Sequence, residues 1–276
     1  MSSVGSSDRV HRILLRDQTL VIAHRGFSRL APENTVPAFE LALAAGADLV
    51  EFDVRSSRDG QLVVVHDHEL DRTTDAKRRW GRRHNRVDAK TGSEIRALDA
   101  GTWFHRTFGG VKVPLLSEAL TTIGKRSVPL IERKGGNATA YASFLRENNL
   151  VNNVIVQSFD WEFLRMLHEE EPRLVLGALG PARLLAGGRK PFGISRKLNA
   201  AWLTQVHNTG ARIVVWTRKV SKGSMRLAHE RGLKVWVYTI NEVKLARRLV
   251  GAGVDGVITN DPTLMRKALL TKRHSP

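Results

Sequence analysis

Three short apolar segments in the first quarter of the chain each end in polar residues whose side chains can take part in chemistry. A short apolar segment bounded by glycine or polar residues is typical of a buried β-strand. Because the carboxyl ends of neighbouring parallel strands meet at one edge of a sheet, the pattern favours an active site of the α/β type. The three segments are residues 20–23 before His24-Arg25-Gly26, residues 47–52 with Glu51 and Asp53 at their end, and residues 62–65 before His66-Asp67.

Strand and helix signals continue to alternate along the rest of the chain. Consecutive βα units imply a parallel sheet, and eight of them close naturally into a barrel, which typically takes about 250 residues. We therefore predict an α/β fold, a (β/α)8 TIM barrel, formed by a single domain over residues 19–272 with an insertion after the second strand at about residues 56–126. The predicted strands cover residues 19–24, 48–54, 128–132, 153–157, 174–179, 212–217, 234–239 and 254–259.

The beginning of the chain and its cysteine content limit where and how the protein works. Residues 1–18 are polar and lack the apolar core of a signal peptide, so we expect a separate and flexible N-terminal segment. The sequence contains no run of about 18 apolar residues, so no transmembrane helix is predicted, and we expect a cytoplasmic protein. The absence of cysteine excludes disulfides, zinc–thiolate sites and thiol nucleophiles.

The net charge is strongly positive, with 44 Lys and Arg against 27 Asp and Glu, which gives +17. Such a charge favours anionic partners, and peripheral contact with an anionic membrane is one of them. The densest cluster, residues 77–86, is interpreted either as a phosphate- or lipid-contacting loop anchored by Trp80 or as an ordinary solvated surface loop. No nucleic-acid-binding motif accompanies the charge, so no nucleic-acid partner is expected.

The second and third predicted strands carry three carboxylates. Because side chains on a strand alternate between faces, Glu51 and Asp53 point to the same side. Neighbouring carboxylates repel each other unless a cation lies between them, and an oxygen-only ligand set suits Mg²⁺ or Ca²⁺ better than zinc. Glu132 can supply a third carboxylate from the next strand, and Lys134 has the strand parity to face an anion held there.

Two histidines, His24 and His66, are the ones that lie at predicted strand ends. Imidazoles of near-neutral pKa on either side of a substrate can act in turn as base and acid, and Arg25 could bind phosphate oxygens with its guanidinium. Each residue also has a purely structural interpretation: Glu51 and Asp53 could pair with nearby arginines, and Glu132 with Lys134. Taken together, five polar groups at one end of three apolar strands would be costly to bury without a function.

The ordered set of motifs resembles the glycerophosphodiester phosphodiesterase family over nearly the whole chain. That resemblance implies a TIM barrel with an insertion after the second strand. It also implies hydrolysis of glycerophosphodiesters to sn-glycerol 3-phosphate and an alcohol with a divalent cation, Mg²⁺ or Ca²⁺, with Mn²⁺ as a further candidate. The matching motifs are His24-Arg25-Gly26, Pro32-Glu33-Asn34-Thr35, Glu51-Phe52-Asp53-Val54, His66-Asp67, Leu70-Asp71-Arg72-Thr73-Thr74, Glu132-x-Lys134, Ser158-Phe159-Asp160, Thr239-Ile240-Asn241 and Gly253-Val254-Asp255-Gly256-Val257-Ile258-Thr259.

The resemblance also implies a role for each matching side chain. It makes His24 and His66 the general acid/base pair, and Arg25 and Lys134 the phosphate contacts. The implied metal ligands are Glu51, Asp53 and Glu132. In the family mechanism the metal binds and activates a glycerol hydroxyl for attack on phosphorus, and water opens the resulting cyclic phosphate.

Some residues have two interpretations. We expect Glu33 and Trp236 to contact substrate, although Glu33 could instead serve the start of the helix and Trp236 could fill the core. Trp103 and Phe104 in the insertion could cover the site or simply pack. His68, which follows the strand, is left out of the site.

Two other functions compete with glycerophosphodiester hydrolysis. One is a lysophospholipase D-type hydrolase that uses the same site on lysophospholipids, an interpretation suggested by the basic, aromatic insertion. The other is a non-catalytic phosphoinositide- or membrane-binding barrel, against which the complete set of histidines and carboxylates argues. The sequence leaves the oligomeric state and the alcohol group of the substrate open.

Overall fold

The computed structural model describes residues 9–81, 83–193 and 195–270. The strands are β1 Leu20–Ala23, β2 Leu49–Ser56, β3 Leu62–Val64, β4 Val128–Arg133, β5 Ile155–Ser158, β6 Val175–Leu179, β7 Ile213–Trp216, β8 Lys234–Val237 and β9 Gly256–Thr259. The helices are α1 Arg9–Leu14, α2 Val36–Ala44, α3 Ala76–Trp80, α4 Gly92–Arg96, α5 Leu116–Ile123, α6 Ala138–Glu147, α7 Trp161–Glu170, α8 Ala200–His207, α9 Lys222–Glu230, α10 Val243–Gly251 and α11 Pro262–Leu270. Short 3₁₀ turns cover Val87–Ala89 and Arg106–Phe108.

The strands form one sheet in the order β1-β9-β8-β7-β6-β5-β4-β2-β3, and β1 also pairs with β2. That second pairing closes β1, β2 and β4–β9 into the eight-stranded barrel of a TIM-barrel fold, as predicted. β3 lies in the insertion and pairs antiparallel with β2, with Val54 opposite Val64. Strands β1 and β7 are apolar and buried on both faces, which is what helices packed around a parallel sheet require.

The chain divides into two compact units. The first unit comprises the described residues up to Ile22, residues 137–259 and the described residues from Thr263 onward; the second comprises residues 23–136 and 260–262. The predicted single domain over residues 19–272 stays a prediction, and its last two residues lie outside the described part of the chain.

Three tryptophans build the core of the first unit. The rings of Trp161 and Trp202 lie 5.5 Å apart, and Trp202 and Trp216 lie 5.3 Å apart, in edge-to-face arrangements. All three side chains are buried, and each indole N–H donates to a backbone carbonyl, for example Trp161 Nε1 to Leu179 O at 2.8 Å. The hydrogen bonds remove the cost of burying the indole nitrogens, so large aromatic surfaces can stabilise the unit.

The insertion of the second unit has its own apolar core, which includes Leu70, Ile95 and Leu98. Trp80 packs against this core, and Lys90 Nζ lies 4.0 Å from the centre of its ring. The expected surface loop at residues 77–86 is wrong in its first part, because residues 77–80 belong to α3. Cationic side chains in the last turn of a helix are favoured by the helix dipole, which accounts for the helical conformation of this basic stretch.

The N-terminal segment predicted at residues 1–18 includes α1. Val10, Ile13 and Leu14 on that helix are buried, so this part packs as amphipathic helices do; residues 1–8 lie outside the described part. Among the described residues, no helix combines the length and apolar character that crossing a bilayer needs.

Candidate active site

The pairing of β2 with β4 brings the three carboxylates together. The two strands are parallel, and Asp53 lies directly opposite Glu132 in their register, with Glu51 two residues earlier on β2. One oxygen from each of Glu51, Asp53 and Glu132 can be chosen so that all three lie within 4.8 Å of one another. All three side chains are buried. The predicted clustering of these carboxylates is therefore present in the structure.

The turn after β1 is shaped around this cluster. Arg25 adopts a left-handed backbone conformation, with φ 54°, and its N–H donates to Glu51 Oε2 at 2.9 Å. Gly26 follows with φ 79°, and a Cβ atom there would lie 2.7 Å from the backbone of Ala38. Only glycine fits both the dihedral angle and the close approach, which explains why this residue follows His24-Arg25.

Two cations lie among the carboxylates. Arg25 Nε is 3.2 Å from Asp53 Oδ2, and Lys134 Nζ is 3.4 Å from Asp53 Oδ1 and also pairs with Glu132. Burial by itself would raise the pKa of Asp53, but Lys134 and Arg25 outweigh it and hold that pKa below its ordinary value. The pairing of Glu132 with Lys134, which we considered as a purely structural alternative, is thus part of a larger charge cluster.

The other two carboxylates are compensated less completely. Burial and the negative charges of Asp53 and Glu132 raise the pKa of Glu51 well above its ordinary value. Burial and Asp53 raise the pKa of Glu132 to about 7. Glu51 Oε1 is buried and accepts no hydrogen bond from any residue that the structure describes. A buried carboxylate oxygen without a donor, next to two further carboxylates, is an arrangement that a cation would stabilise.

Asn34 is a site residue that the sequence analysis did not identify. Its Nδ2 donates to Asp53 Oδ2 at 2.9 Å, and its Oδ1 accepts from the Asp53 N–H at 3.1 Å. The asparagine has φ 60°, a conformation that asparagine tolerates better than most residues. Thr35 is the N-cap residue of α2, whereas Asn34 fixes the orientation of Asp53.

His24 is held by Asn260, a second residue that the sequence analysis missed. His24 Nδ1 and Asn260 Oδ1 are 2.7 Å apart, which makes Nδ1 the protonated nitrogen and leaves the lone pair on Nε2. Burial and the adjacent Arg25 guanidinium lower the pKa of His24 to about 4. The ring is therefore neutral at neutral pH, the form in which an imidazole can accept a proton.

His66 is held in a similar way by its neighbour. Its Nδ1 lies 2.6 Å from Asp67 Oδ1, and Asp67 Oδ2 accepts from Arg72 Nε at 2.5 Å. Burial and the positive charges of Lys134 and Arg25 lower the pKa of His66 below its ordinary value, although the carboxylate of Asp53 and the hydrogen bond to Asp67 favour its protonated form. Hydrogen bonds from Arg72 and His66 outweigh burial and keep the pKa of Asp67 at about 2, so this carboxylate stays ionised.

Glu33 joins the two histidine turns. Its carboxylate accepts from Arg25 at 2.7 Å and from Arg72 at 2.7 Å. Burial would raise its pKa, but the two arginines outweigh burial and lower it. A chain of ion pairs thus runs from Asp67 through Arg72 and Glu33 to Arg25. No single motif in the sequence reveals that chain, because directly paired members are separated by up to 39 residues.

The donor set fits a hard divalent cation. Glu51, Asp53 and Glu132 offer carboxylate oxygens, and nitrogen or sulfur donors are not part of the cluster. The unbonded Oε1 of Glu51 and the raised pKa values of Glu51 and Glu132 both indicate a deficit of positive charge. The resident Lys134 offsets part of that deficit by contacting Asp53 and Glu132.

The remaining predicted residues lie elsewhere. Trp236 belongs to the first unit, is fully buried, and packs so closely on Gly256 that a Cβ atom there would lie 2.5 Å from its ring; its substrate contact stays a prediction. Trp103 is 39% exposed and packs edge-to-face on Phe104 within the insertion. His68 is half-exposed, in agreement with its omission from the site.

Known proteins resemble this chain over most of its length. The model of the glycerophosphoryl diester phosphodiesterase family matches residues 24–264. A protein of Caldanaerobacter subterraneus subsp. tengcongensis named glycerophosphodiester phosphodiesterase is 34% identical over 254 residues, which are 89% of this chain and 95% of that protein. The crystal structure of glycerophosphodiester phosphodiesterase from Agrobacterium tumefaciens is 30% identical, with a TM-score of 0.74 over 91% of this chain and 100% of that one. A phosphodiesterase of Oleispira antarctica, solved in complex with the product sn-glycerol-3-phosphate, is 25% identical, with a TM-score of 0.77 over 92% of this chain and 98% of that one.

Proposed function

Because the chain belongs to the glycerophosphoryl diester phosphodiesterase family, we propose that it hydrolyses glycerophosphodiesters to sn-glycerol 3-phosphate and an alcohol. The Caldanaerobacter relative is named glycerophosphodiester phosphodiesterase, which supports this reaction class. The sn-glycerol-3-phosphate bound to the Oleispira phosphodiesterase supports the identity of the product. The finer assignments of metal, acid and base below rest on the geometry of the second unit.

The substrate phosphate binds to the two cations of the carboxylate cluster. Arg25 and Lys134 are both largely buried, so their charges act in a medium that screens them weakly. A phosphodiester carries one negative charge, and attack on phosphorus adds charge to its oxygens. Fixed cations that face those oxygens stabilise the transition state more than the ground state. Glu33 acts mainly by holding Arg25 in place, since a carboxylate would repel the phosphate itself.

Glu51, Asp53 and Glu132 hold a divalent cation, Mg²⁺ or Ca²⁺, with Mn²⁺ as a further candidate. A divalent cation in such a site lowers the pKa of an oxygen bound to it and neutralises charge on the phosphoryl group. Asn34 orients Asp53 through two hydrogen bonds, and the Arg25 N–H orients Glu51. Such contacts to ligand carboxylates tune affinity in metal sites generally.

His24 and His66 move the protons. His24, neutral and with its lone pair on Nε2, accepts the proton of the glycerol hydroxyl as that oxygen attacks phosphorus. The bond from phosphorus to the alcohol oxygen then breaks, and His66, whose imidazolium is stabilised by Asp67, supplies a proton to the leaving oxygen. Water opens the cyclic phosphate by the same transfers in reverse, which restores both histidines.

One observation carries this assignment: the three buried carboxylates of β2 and β4 lie together with two largely buried cations, Arg25 in the turn after β1 and Lys134 just after β4, and both histidines are hydrogen-bonded through Nδ1. A structural ion-pair network needs no such histidine pair. The assay that tests it measures sn-glycerol 3-phosphate release from glycerophosphocholine, glycerophosphoethanolamine and glycerophosphoglycerol, with and without chelator. We expect chelator to abolish the release of sn-glycerol 3-phosphate and added Mg²⁺, Ca²⁺ or Mn²⁺ to restore it.

The assay includes a lysophospholipid as a further substrate. Negligible turnover of all three water-soluble diesters, together with turnover of the lysophospholipid, would replace the proposed activity by lysophospholipase D-type hydrolysis. Absence of hydrolysis of every substrate in the presence of each metal would leave only a binding role. A wild-type rate that excess chelator does not change would remove the metal from the proposal.

A further inference from the structure

A long stretch of the first unit contains basic residues without any acidic ones. Residues 172–229 include eleven Lys and Arg and no Asp or Glu. Because the whole chain has a net charge of +17, this stretch accounts for more than half of the excess. The charge is thus concentrated in one part of the sequence, whereas an evenly basic surface would spread it over the chain.

Two loops carry most of this charge at the same edge of the sheet. β6 and β7 are parallel neighbours, so the loops that follow them leave the sheet at the same end. The β6–α8 loop (residues 180–199) presents five exposed cations, Arg183, Arg189, Lys190, Arg196 and Lys197. The β7–α9 loop (residues 217–221) presents Arg218 and Lys219.

These cations are free of acidic partners. In the described part of the chain, none of the seven side chains forms an ion pair with Asp or Glu; Arg183 instead lies over the ring of Phe159, 5.2 Å from its centre. By contrast, most exposed arginines of the insertion have partners, as Arg78 has Asp75 and Arg86 has Asp88. The unpaired charges repel one another, and an external anionic surface would relieve that repulsion.

The β6–α8 loop also presents Phe192, which is 97% exposed. A single exposed apolar residue is common on proteins, but a fully exposed phenyl ring among five unpaired cations is an amphipathic combination. Membrane-surface segments use the same combination: cations meet anionic headgroups, and aromatic side chains enter the boundary with the acyl chains.

The backbone of the loop is fixed on both sides of Phe192. On one side, Trp161 N donates to Leu184 O at 2.9 Å. On the other side, Trp202 Nε1 donates to Ser195 O at 2.6 Å and Trp216 Nε1 donates to Arg196 O at 3.1 Å. The two loops are joined by Leu198 N, which donates to Lys219 O at 3.1 Å. The tip is therefore presented from a framework built on the buried tryptophans.

From these observations we infer that the β6–α8 and β7–α9 loops form a docking surface for an anionic phospholipid bilayer, with Phe192 entering the interface. The surface lies entirely within the first unit, and the inference does not depend on hydrolytic activity. The exposed phenyl ring favours a bilayer over nucleic acid, because no motif for reading bases accompanies the charge.

Co-sedimentation with lipid vesicles tests the inference. The full-length protein is expected to bind vesicles of equal parts phosphatidylcholine and phosphatidylglycerol, and to bind pure phosphatidylcholine vesicles far more weakly. The double variant Arg189→Gln/Lys190→Gln should lower the partition coefficient about tenfold or more, since each cation near an anionic surface contributes substantially. Phe192→Ser should lower it by a similar factor and, unlike the double variant, should keep its effect at high salt.

Two matched variants separate this surface from the general positive charge. Lys125→Gln/Arg126→Gln removes an equally exposed, adjacent cation pair in the second unit, and Leu15→Ser removes another exposed apolar side chain, 67% exposed. Neither should change vesicle binding more than about twofold. Thermal unfolding checks that each variant is folded.

Three results would overturn the inference. The first is an absence of binding to the anionic vesicles. The second is an equal loss of vesicle binding in the matched variants and in the loop variants. The third is binding to a DNA duplex that is as tight as binding to anionic vesicles and is weakened equally by the loop variants. The His24→Ala variant, made to test catalysis, should bind vesicles like the wild type. Vesicle binding by the His24→Ala variant therefore distinguishes a failure of this inference from a failure of the proposed function.

Discussion

At the level of single residues, the charge balance of the carboxylate cluster determines both its stability and its chemistry. Asp53 contacts both Arg25 and Lys134, and Glu132 pairs with Lys134. In the described part of the chain, the Glu51 carboxylate receives a hydrogen bond only from the backbone N–H of Arg25. Glu51 is therefore the carboxylate whose negative charge is least compensated. Substituting it tests whether the cluster binds a cation at the expense of the stability of the metal-free protein.

We predict that Glu51→Gln stabilises the metal-free protein and weakens the bound metal. Burial and the charges of Asp53 and Glu132 make the ionised Glu51 carboxyl unfavourable in the folded chain, a cost that the neutral amide does not carry, so the free energy of unfolding should rise by roughly 1 kcal/mol. Metal affinity should fall about tenfold or more, and turnover with it. Denaturant titration in chelator and calorimetric metal titration measure the two effects.

The exposed Glu40 on α2 provides the matched control for this variant. Glu40→Gln removes the same charge from the surface and should change neither quantity appreciably. A Glu51→Gln protein that is less stable than the wild type in chelator would show that the carboxylate is not under electrostatic repulsion.

We predict that His24→Ala and His66→Ala each lower turnover by roughly 10² to 10⁴ while metal affinity stays nearly unchanged. Neither imidazole belongs to the carboxylate cluster, and each is bound through Nδ1 to another residue. Steady-state kinetics and calorimetric metal titration measure the effects, with His68→Ala as the control. A loss of metal binding in either variant would assign that histidine as a ligand.

At the level of elements, the turn between β1 and α2 contributes more than its position suggests. It contains two residues with positive φ other than glycine, Arg25 and Asn34, and both contact the carboxylate cluster. Strained backbone of this kind is typical of functional sites, where the surrounding contacts outweigh its cost. The turn acts as a rigid support for Glu51 and Asp53.

The end of α7 shows an ion-pair network with a structural role. Glu171 follows the helix, is 4% exposed, and accepts from Arg173 Nε at 2.8 Å and from Arg146 Nε at 3.1 Å. Arg146 lies on α6, so Glu171 ties the ends of two neighbouring helices together. Hydrogen bonds from Arg173 lower the pKa of Glu171 from 4.5 to about 2.

We predict that Glu171→Gln lowers the free energy of unfolding by about 1–2 kcal/mol at neutral pH. Because the pKa in the folded chain is depressed, the stabilisation by the carboxylate is present above pH 4.5 and is lost as the pH falls towards 2. The difference between variant and wild type should therefore shrink across that range in denaturant titrations. A constant difference would mean that the ionised carboxylate is not its source.

Glu169 on the same helix gives the control for this prediction. Its carboxylate is 63% exposed, although it pairs with Arg165. Exposed pairs contribute little to stability, so Glu169→Gln should change the free energy of unfolding by less than about 0.5 kcal/mol.

At the level of the whole molecule, cation binding is linked to folding. The carboxylates come from β2 and β4, which are separated by the insertion, so the unfolded chain offers no such cluster. We predict that Mg²⁺, Ca²⁺ or Mn²⁺ raises the temperature of thermal unfolding, with a stabilisation of about 2.7 kcal/mol at a concentration one hundred times the Kd. Chelator should reverse the shift.

Calorimetry at matched ionic strength separates specific binding from screening. Because the net charge is +17, any salt can stabilise the chain by screening repulsion. Potassium chloride of equal ionic strength should therefore produce only the screening part of the shift. If it produces the whole shift, or if Glu51→Gln responds to the metals like the wild type, the carboxylate cluster is not the binding site.

The periodic parts of this protein can be predicted from the amino-acid sequence alone. Alternating buried strands and amphipathic helices predict the barrel, because a strand that is apolar on both faces needs a covering layer on each side. The same logic located Glu51, Asp53 and Glu132, whose strand parity could be counted along the chain. The interruption of the βα alternation likewise predicts the insertion after the second strand.

Contacts between side chains far apart in the sequence become visible only in the folded chain. Asn260 binds His24, Arg72 binds Glu33 and Asn34 binds Asp53, although each pair is well separated in the sequence. Local periodicity carries information about which face a residue occupies, but not about which distant residue comes within hydrogen-bond distance of it. These distant contacts depend on how the turns after the strands fold back over the end of the sheet. Such turns have no periodic sequence pattern from which their conformation could be predicted.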